Sequence, residues 1–349
     1  MDQSAEQLGA LLDRPVPPAS NDDAVALARL HFGLTGTATP LTGERDRNFH
    51  LTDTAGREFV LKIGHPEEDP AVLDLQDQAL LHAALRDPSL PLPRVHLPIS
   101  GKPVLWHAPG AQPRVVRVLS YVQGRPLHST EPSAARHRDI GSALARLNLS
   151  LADFRHPADG HDLLWDLQRA ARVRPLLIHV DPARRGLPTR FFDQFETYAL
   201  PVLPHLRAQL IHNDFNPHNM LTDPADDTRL VGIIDFGDMV RAPMVQDLAT
   251  AAAYHVTTGA DALRGVAEIV AAYHAICPLL PEEIAVLPDL LGARLSLSIA
   301  ISSWRAVRHP DNAPYILRNQ GRTWTGLAGL DAIPREDMQA ILRNACQLG

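Results

Sequence analysis

With 349 residues, 45% apolar and 21% charged, the chain is composed like a soluble globular protein. It is longer than a single hydrophobic core usually grows, so two lobes are expected. A net charge of −7 without any long run of Lys or Arg argues against nucleic-acid and membrane-surface partners. Two cysteines, Cys277 and Cys346, lie far apart outside any CxxC spacing and read as free thiols of a reducing compartment. The opening MDQSAEQLGALLDRP has no basic segment followed by an apolar one, so no signal peptide is expected. The apolar stretch LLGARLSLSIAISSW is broken by Arg294 and several serines and is too short to cross a membrane. A cytoplasmic protein is the expectation.

Helical signals in residues 1–35 are split by a proline-rich break from Arg14 to Ala19, after which Ser20-Asn21-Asp22-Asp23 caps AVALARLHF. Short strands follow at Thr35–Thr39, Arg47–Thr52 and Glu58–Ile63, with Asp53-Thr54-Ala55-Gly56 as a hairpin connection. Asp69-Pro70 starts a helix over AVLDLQDQALLHAAL, and Pro91-Leu92-Pro93 stops it. Two more strands come next, the second being Arg114–Tyr121. Beyond Gly124 the pattern turns helical, and Ile140, Leu144 and Leu147 mark one face of Ser133–Asn148. Two apolar runs, Gln209–His212 and Leu230–Asp235, interrupt it and bracket a loop, before helices return over 244–345. The fold class is α+β: a β-rich N-terminal lobe with a helical extension (1–121), then a larger helical lobe (122–349).

The chemistry concentrates between 210 and 250, where His212-x-Asp214-x4-Asn219 is followed by Asp235-Phe236-Gly237. Phosphoryl transfer requires a group that orients the attacking hydroxyl, metal-held phosphates and fixed positive charge. Asp and Asn five apart on one loop can serve a hydroxyl and a metal, and a second Asp after the next strand completes a hard-oxygen site suited to Mg²⁺.

This segment resembles the catalytic and metal loops of the aminoglycoside-phosphotransferase and choline-kinase superfamily, a branch of the protein-kinase-like fold. The resemblance covers roughly residues 30–320. It implies Asp214 as catalytic base, Asn219 and Asp235 as magnesium ligands, and His212 as the residue that orients the loop. It also implies that Lys62, in Phe59-Val60-Leu61-Lys62-Ile63, contacts the nucleotide phosphates. The family pairs this lysine with a Glu on the following helix; here the helix offers only Asp77, the preferred match, and Asp74. The turn Leu41–Phe49 would cover the phosphates with Gly43 and Asn48 and has no GxGxxG. Ser120, Tyr121 and Val122 resemble the inter-lobe hinge whose backbone holds the purine of ATP or GTP.

The longer phrases Asn48-Phe49-His50-Leu51, Ile233–Met239 and Gln246-Asp247-Leu248-Ala249 resemble the hydroxylysine kinases and the kinase-like domain fused to class III aminotransferases. That likeness implies a small hydroxylated acceptor such as an amino alcohol, a GTP preference in the hydroxylysine branch, and a functional link to a class III aminotransferase. Whether the chain works as a monomer or dimer stays open. Homoserine, choline, ethanolamine and aminoglycosides are the rival acceptors, and a nucleotide-binding pseudokinase is the rival class. A protein kinase is disfavoured, since no A-P-E segment follows Asp235-Phe236-Gly237.

Several residues carry plainer readings beside the chemical ones. Asp238 either pairs with an acceptor ammonium or caps a turn. Trp304 and Tyr315 either line the acceptor pocket or fill the helical core, the commoner fate of such rings. His218 is read as loop packing, because no second His or Cys stands at ligand spacing. Asp247 is expected to tie its helix to the catalytic loop.

Overall fold

The computed structural model describes residues 16–43, 46–107 and 112–347. The helical signals before residue 16, and Glu44-Arg45 of the phosphate-covering turn, lie outside the described residues. Helix α1 (Asn21–Phe32) begins at a reciprocal cap: Asp23 N–H donates to the Ser20 hydroxyl, and Ser20 N–H donates to the Asp23 carboxylate at 2.8 Å. Gly33, at φ 69°, closes its end in the left-handed conformation that suits glycine.

Five antiparallel strands follow: β1 (Gly36–Leu41), β2 (Arg47–Asp53), β3 (Glu58–Ile63), β4 (Val104–Trp106) and β5 (Arg114–Ser120), in the order β1-β2-β3-β5-β4. Alternation decides their faces. Phe49 and Leu51 of β2 and Phe59, Leu61 and Ile63 of β3 point inward onto Val116, Val118 and α1. Helix α2 (Pro70–Arg86) is inserted between β3 and β4, with Asp69 accepting the Ala71 N–H and Pro70 at the first helical position. Its Leu75, Ala79, Leu80 and Ala83 join the core of the helical lobe rather than that of the sheet. Each fully buried leucine contributes about 1.5–3 kcal/mol, so α2 ties the two lobes together.

The helical lobe is built from α3 (Ala134–Ser150), α4 (Gly186–Gln194), α5 (Met244–Ala253), α6 (Arg264–Ile276), α7 (Pro281–Arg308), α8 (Gln320–Asp331) and α9 (Arg335–Ala345). Helices α3 and α6 approach closely at Gly141, where a Cβ would meet the Ile269 carbonyl oxygen at 2.2 Å. The apolar stretch around Arg294 proves to be part of the 28-residue α7, long enough to cross a membrane, contrary to the sequence expectation. Its apolar window is 89% buried inside the protein, so α7 is the central core helix of the lobe. Both cysteines are free, as expected, and both are buried.

Small strands complete the frame, two of them on the apolar runs Gln209–His212 and Leu230–Asp235 and three without a signal in the sequence. β6 (Arg125–Pro126), β8 (Met220–Thr222) and β9 (Leu230–Ile233) form one antiparallel sheet, and β7 (Ala208–Ile211) pairs with β10 (Val240–Pro243). Two to four residues are too few for an alternation signal.

Candidate active site

The β8–β9 hairpin explains why residues sixteen positions apart become neighbours. Met220 pairs with Ile233, so Asn219 falls opposite Ile234, whose N–H donates to the Asn219 carbonyl oxygen at 2.9 Å. Asn219 and Asp235 therefore stand side by side at the open end of the hairpin, and both line the interlobe cleft, a cavity of about 530 Å³. Asp235 and Asn213 adopt positive φ, 61° and 64°, a strained conformation for residues with a Cβ that is held here by surrounding bonds.

Those bonds come from three sides. The buried Asp247 carboxylate accepts the N–H groups of His212 (3.2 Å) and Asn213 (2.9 Å), which bears out the expected tie between α5 and the loop. Gln246 donates to the Asn213 side-chain oxygen at 3.1 Å and to Asp166 at 2.9 Å. His212 is fully buried; its Nδ1 accepts the Asp214 N–H at 3.3 Å, which fixes Nε2 as donor to the Ile234 carbonyl at 3.1 Å. Phe236 packs against the ring at 4.6 Å. His212 thus bridges the loop and the hairpin as a positioning residue.

Asp214 sits at the centre. Its Oδ1 accepts from Arg294 Nη2 at 2.7 Å and Asn216 Nδ2 at 2.8 Å, and its Oδ2 accepts from Asn219 Nδ2 at 2.7 Å. The Asn219 amide, committed by its nitrogen to Asp214, turns its oxygen the other way. Asp214 keeps 22% of its side-chain surface open to the cleft, yet its desolvation pushes its pKa up to about 7. Arg294 opposes that rise, while Asp238 and Asp235 add to it. Asn219 and Asp235 offer two hard oxygens toward the cleft, a donor set that fits Mg²⁺, which takes few protein ligands beside phosphate and water.

From the sheet lobe, Gly43, Asn48 and Lys62 line the cleft. A Cβ on Gly43 would meet Asn48 Nδ2 at 2.5 Å and the Asp46 carbonyl oxygen at 2.6 Å, so only glycine fits this turn. The expected ion pair between Lys62 and Asp77 is not formed. Lys62 Nζ lies 3.1 Å from Asp46, on the covering turn itself. Asp77 pairs with Arg117 at 3.0 Å; Arg117, the cross-strand neighbour of Lys62, also donates to the Leu73 carbonyl and the Gln76 side chain of the same helix, and Asp74 faces His156. Neither carboxylate lines the cleft.

The segment Ser120–Gly124 carries the chain from β5 of the sheet to β6 of the helical lobe, where the hinge is expected. Ser120, Tyr121 and Val122 are not in the cleft lining. Ser120 N–H donates to the Arg94 carbonyl and Tyr121 N–H to the Glu58 carbonyl, so these two N–H groups are already taken. Val122 packs over Gly232, where a Cβ would come within 2.8 Å of it.

On the acceptor side, Asp238 and Tyr315 line the cleft, whereas Trp304 does not. Trp304 is 1% exposed within the lobe core, so its reading as a pocket residue is withdrawn. His218 also faces the cleft, stacked on His128 at 4.1 Å, and desolvation with the neighbouring positive charge lowers its pKa to about 4. Sequence reasoning missed Asp46, Tyr254 and Arg294. Tyr254 accepts from Arg294 Nε at 3.1 Å and so holds the guanidinium on Asp214. The only sequence signal for Arg294 was a charge inside the most apolar helix, where burial demands a partner.

With this geometry, a model of the phosphotransferase enzyme family (APH) matches residues 37–286. The hydroxylysine kinases of Danio rerio and Mus musculus are 26% and 24% identical to the chain, each over 93% of it and over 96% and 93% of their own lengths. The homoserine kinase of Methylobacillus flagellatus is 28% identical over 74% of this chain and 75% of its own. Among solved structures, a microcompartment-associated aminopropanol kinase superposes with a TM-score of 0.67 at 18% identity, covering 91% of this chain and 98% of that one. A spectinomycin phosphotransferase with AMP bound gives 0.64 at 12% identity, covering 90% and 99%. The chain belongs to the APH phosphotransferase enzyme family and is a small-molecule kinase of the protein-kinase-like fold.

Proposed function

We propose that the protein transfers the γ-phosphate of ATP or GTP, with Mg²⁺, to a hydroxyl of a small amine-bearing metabolite of the hydroxylysine type. The observation that carries this reading is the setting of Asp214: open to the cleft, held by Arg294 and Asn219, with a pKa near 7. A base poised near neutrality suits removal of a hydroxyl proton. The acceptor oxygen forms its bond to the γ-phosphorus as the bond to the bridging oxygen of the nucleoside diphosphate breaks, and Asp214 takes the hydroxyl proton. Lys62 offers its ammonium to the phosphate oxygens, and Gly43 and Asn48 cover them. Asn219 and Asp235 would hold Mg²⁺, which when bound supplies charge neutralisation between the phosphates. The remaining contribution is positioning, and His212 and Asp247 serve it through the loop.

The likeness to hydroxylysine kinases spans nearly the whole chain and supports the acceptor class. The test is Mg²⁺-dependent turnover of ATP and of GTP against hydroxylysine, homoserine, aminopropanol, choline and an aminoglycoside. Preference for hydroxylysine supports the proposal. Preference for homoserine or choline would replace the acceptor and keep the chemistry. Tight nucleotide binding without turnover of any acceptor would favour a pseudokinase.

A further inference from the structure

Among the described residues of α7, α8 and their connection, the charged side chains that line the cleft are Arg294, Arg305, Arg318 and Arg322, and none is acidic. The acidic lining residues lie elsewhere, on the sheet lobe and on the catalytic and metal loops. The cleft thus takes its carboxylates from the sheet lobe and the loops, and the charges it takes from the C-terminal helices are guanidiniums. Arg294 is committed to Asp214. Arg318 and Arg322 have no carboxylate partner among the described residues: Arg318 donates to the Tyr315 carbonyl and lies over its ring at 3.6 Å, and Arg322 reaches the His128 carbonyl at 3.4 Å.

Their placement is fixed from both sides. The Asn319 side chain bonds to His218 of the catalytic loop, and His128 N–H donates to the Pro217 carbonyl oxygen, so the 315–322 segment docks directly beside Asp214–Asn219. Both guanidiniums lie close enough to the stacked His128–His218 pair to disfavour its protonation. Two cations at the start of α8, which has no acidic residue in its first turn, also oppose the helix dipole. Helix stability does not account for them, and like charges gathered without a counter-ion suit a ligand that brings one.

Resting on the kinase reading above, we infer that Arg318 and Arg322 form an anion subsite that binds a carboxylate of the acceptor, so that the substrate is a hydroxy amino acid rather than a plain amino alcohol. The hydroxyl meets Asp214 while the carboxylate meets the two guanidiniums lining the same cleft. Choline, ethanolamine, aminopropanol and aminoglycosides lack the group this pair selects. Arginine supplies paired donors matched to a carboxylate, and a charge-assisted contact of this kind is worth about tenfold or more in affinity.

The experiment compares hydroxylysine with its decarboxylated analogue, a hydroxylated diamine, in wild type, Arg318→Gln, Arg322→Gln and the double variant. Acceptor and nucleotide KM are determined, and direct calorimetric titration of each ligand runs in parallel. The expected result is at least about tenfold preference for the carboxylated ligand in wild type, lost in the double variant, with nucleotide KM within about twofold. Homoserine in place of hydroxylysine should show the same dependence. A preference unchanged in the double variant would overturn the subsite. So would a rise in nucleotide KM alone, which would assign the arginines to the nucleotide. If wild type turns over no acceptor, the kinase reading fails on its own. The titration then decides the subsite: arginine-dependent binding of the carboxylated ligand sustains it, and no binding ends it.

Discussion

Arg294 and Asp214, 80 residues apart in the chain, meet at 2.7 Å in the floor of the cleft, and this pair sets the charge state of the catalytic loop. Desolvation alone would hold Asp214 protonated well above the usual carboxylate range; the guanidinium limits the rise to about 7. A base must be deprotonated to act, so kcat/KM should climb as pH rises through this value and then level. Removing the guanidinium in Arg294→Met takes away the opposing influence, so the rising limb should move to higher pH. Rate profiles across about pH 5 to 9 for the two proteins check this. An unmoved limb would separate Arg294 from the titration of Asp214.

Asp247 offers a second handle. Its buried carboxylate receives two backbone N–H groups of the loop, from His212 and Asn213. Asp247→Ala leaves both donors unpaired, at about 1–3 kcal/mol each, and frees the strained Asn213. The urea midpoint should drop without a change in slope, and kcat should fall with it. Asp247→Asn, which keeps an acceptor, should lose less. A midpoint unchanged in Asp247→Ala would mean the clamp holds nothing.

The partnership of Lys62 gives a contrast between two substitutions. Asp77→Asn alters a pair that belongs to Arg117, so nucleotide KM should stay within about twofold. Asp46→Asn removes the carboxylate that occupies Lys62, so incoming phosphate meets less competition. Nucleotide affinity should then rise about two- to fivefold. Weaker binding in Asp46→Asn would show instead that Asp46 orients the lysine.

These relationships also mark what the sequence could reveal. The sheet was legible because Phe49, Leu51, Phe59, Leu61 and Ile63 alternate, and α1 and α2 because Ser20, Asp69 and Pro70 announce their starts. The catalytic loop was legible because His212-x-Asp214-x4-Asn219 followed by Asp235-Phe236-Gly237 resembles a family motif, and the β8–β9 register shows why that spacing works. Lys62 found a different partner because strand register, a long-range property, put Arg117 beside it and gave Asp77 away. At the hinge, the N–H groups of Ser120 and Tyr121 go to the Arg94 and Glu58 carbonyls, pairings that only the folded chain reveals. Trp304 and Arg294 share one helix, ten residues apart, yet one is core and the other serves the site. Helical rotation and neighbours decide that, and a single sequence carries neither.

The most direct test is kcat of Asp214→Asn at saturating nucleotide, Mg²⁺ and acceptor, with nucleotide Kd titrated on the same preparation. Loss of the base should lower kcat by about 10² to 10⁴-fold while Kd stays within about twofold of wild type. A kcat close to wild type in a folded, nucleotide-binding variant would contradict the assignment of Asp214 and the chemistry built on it.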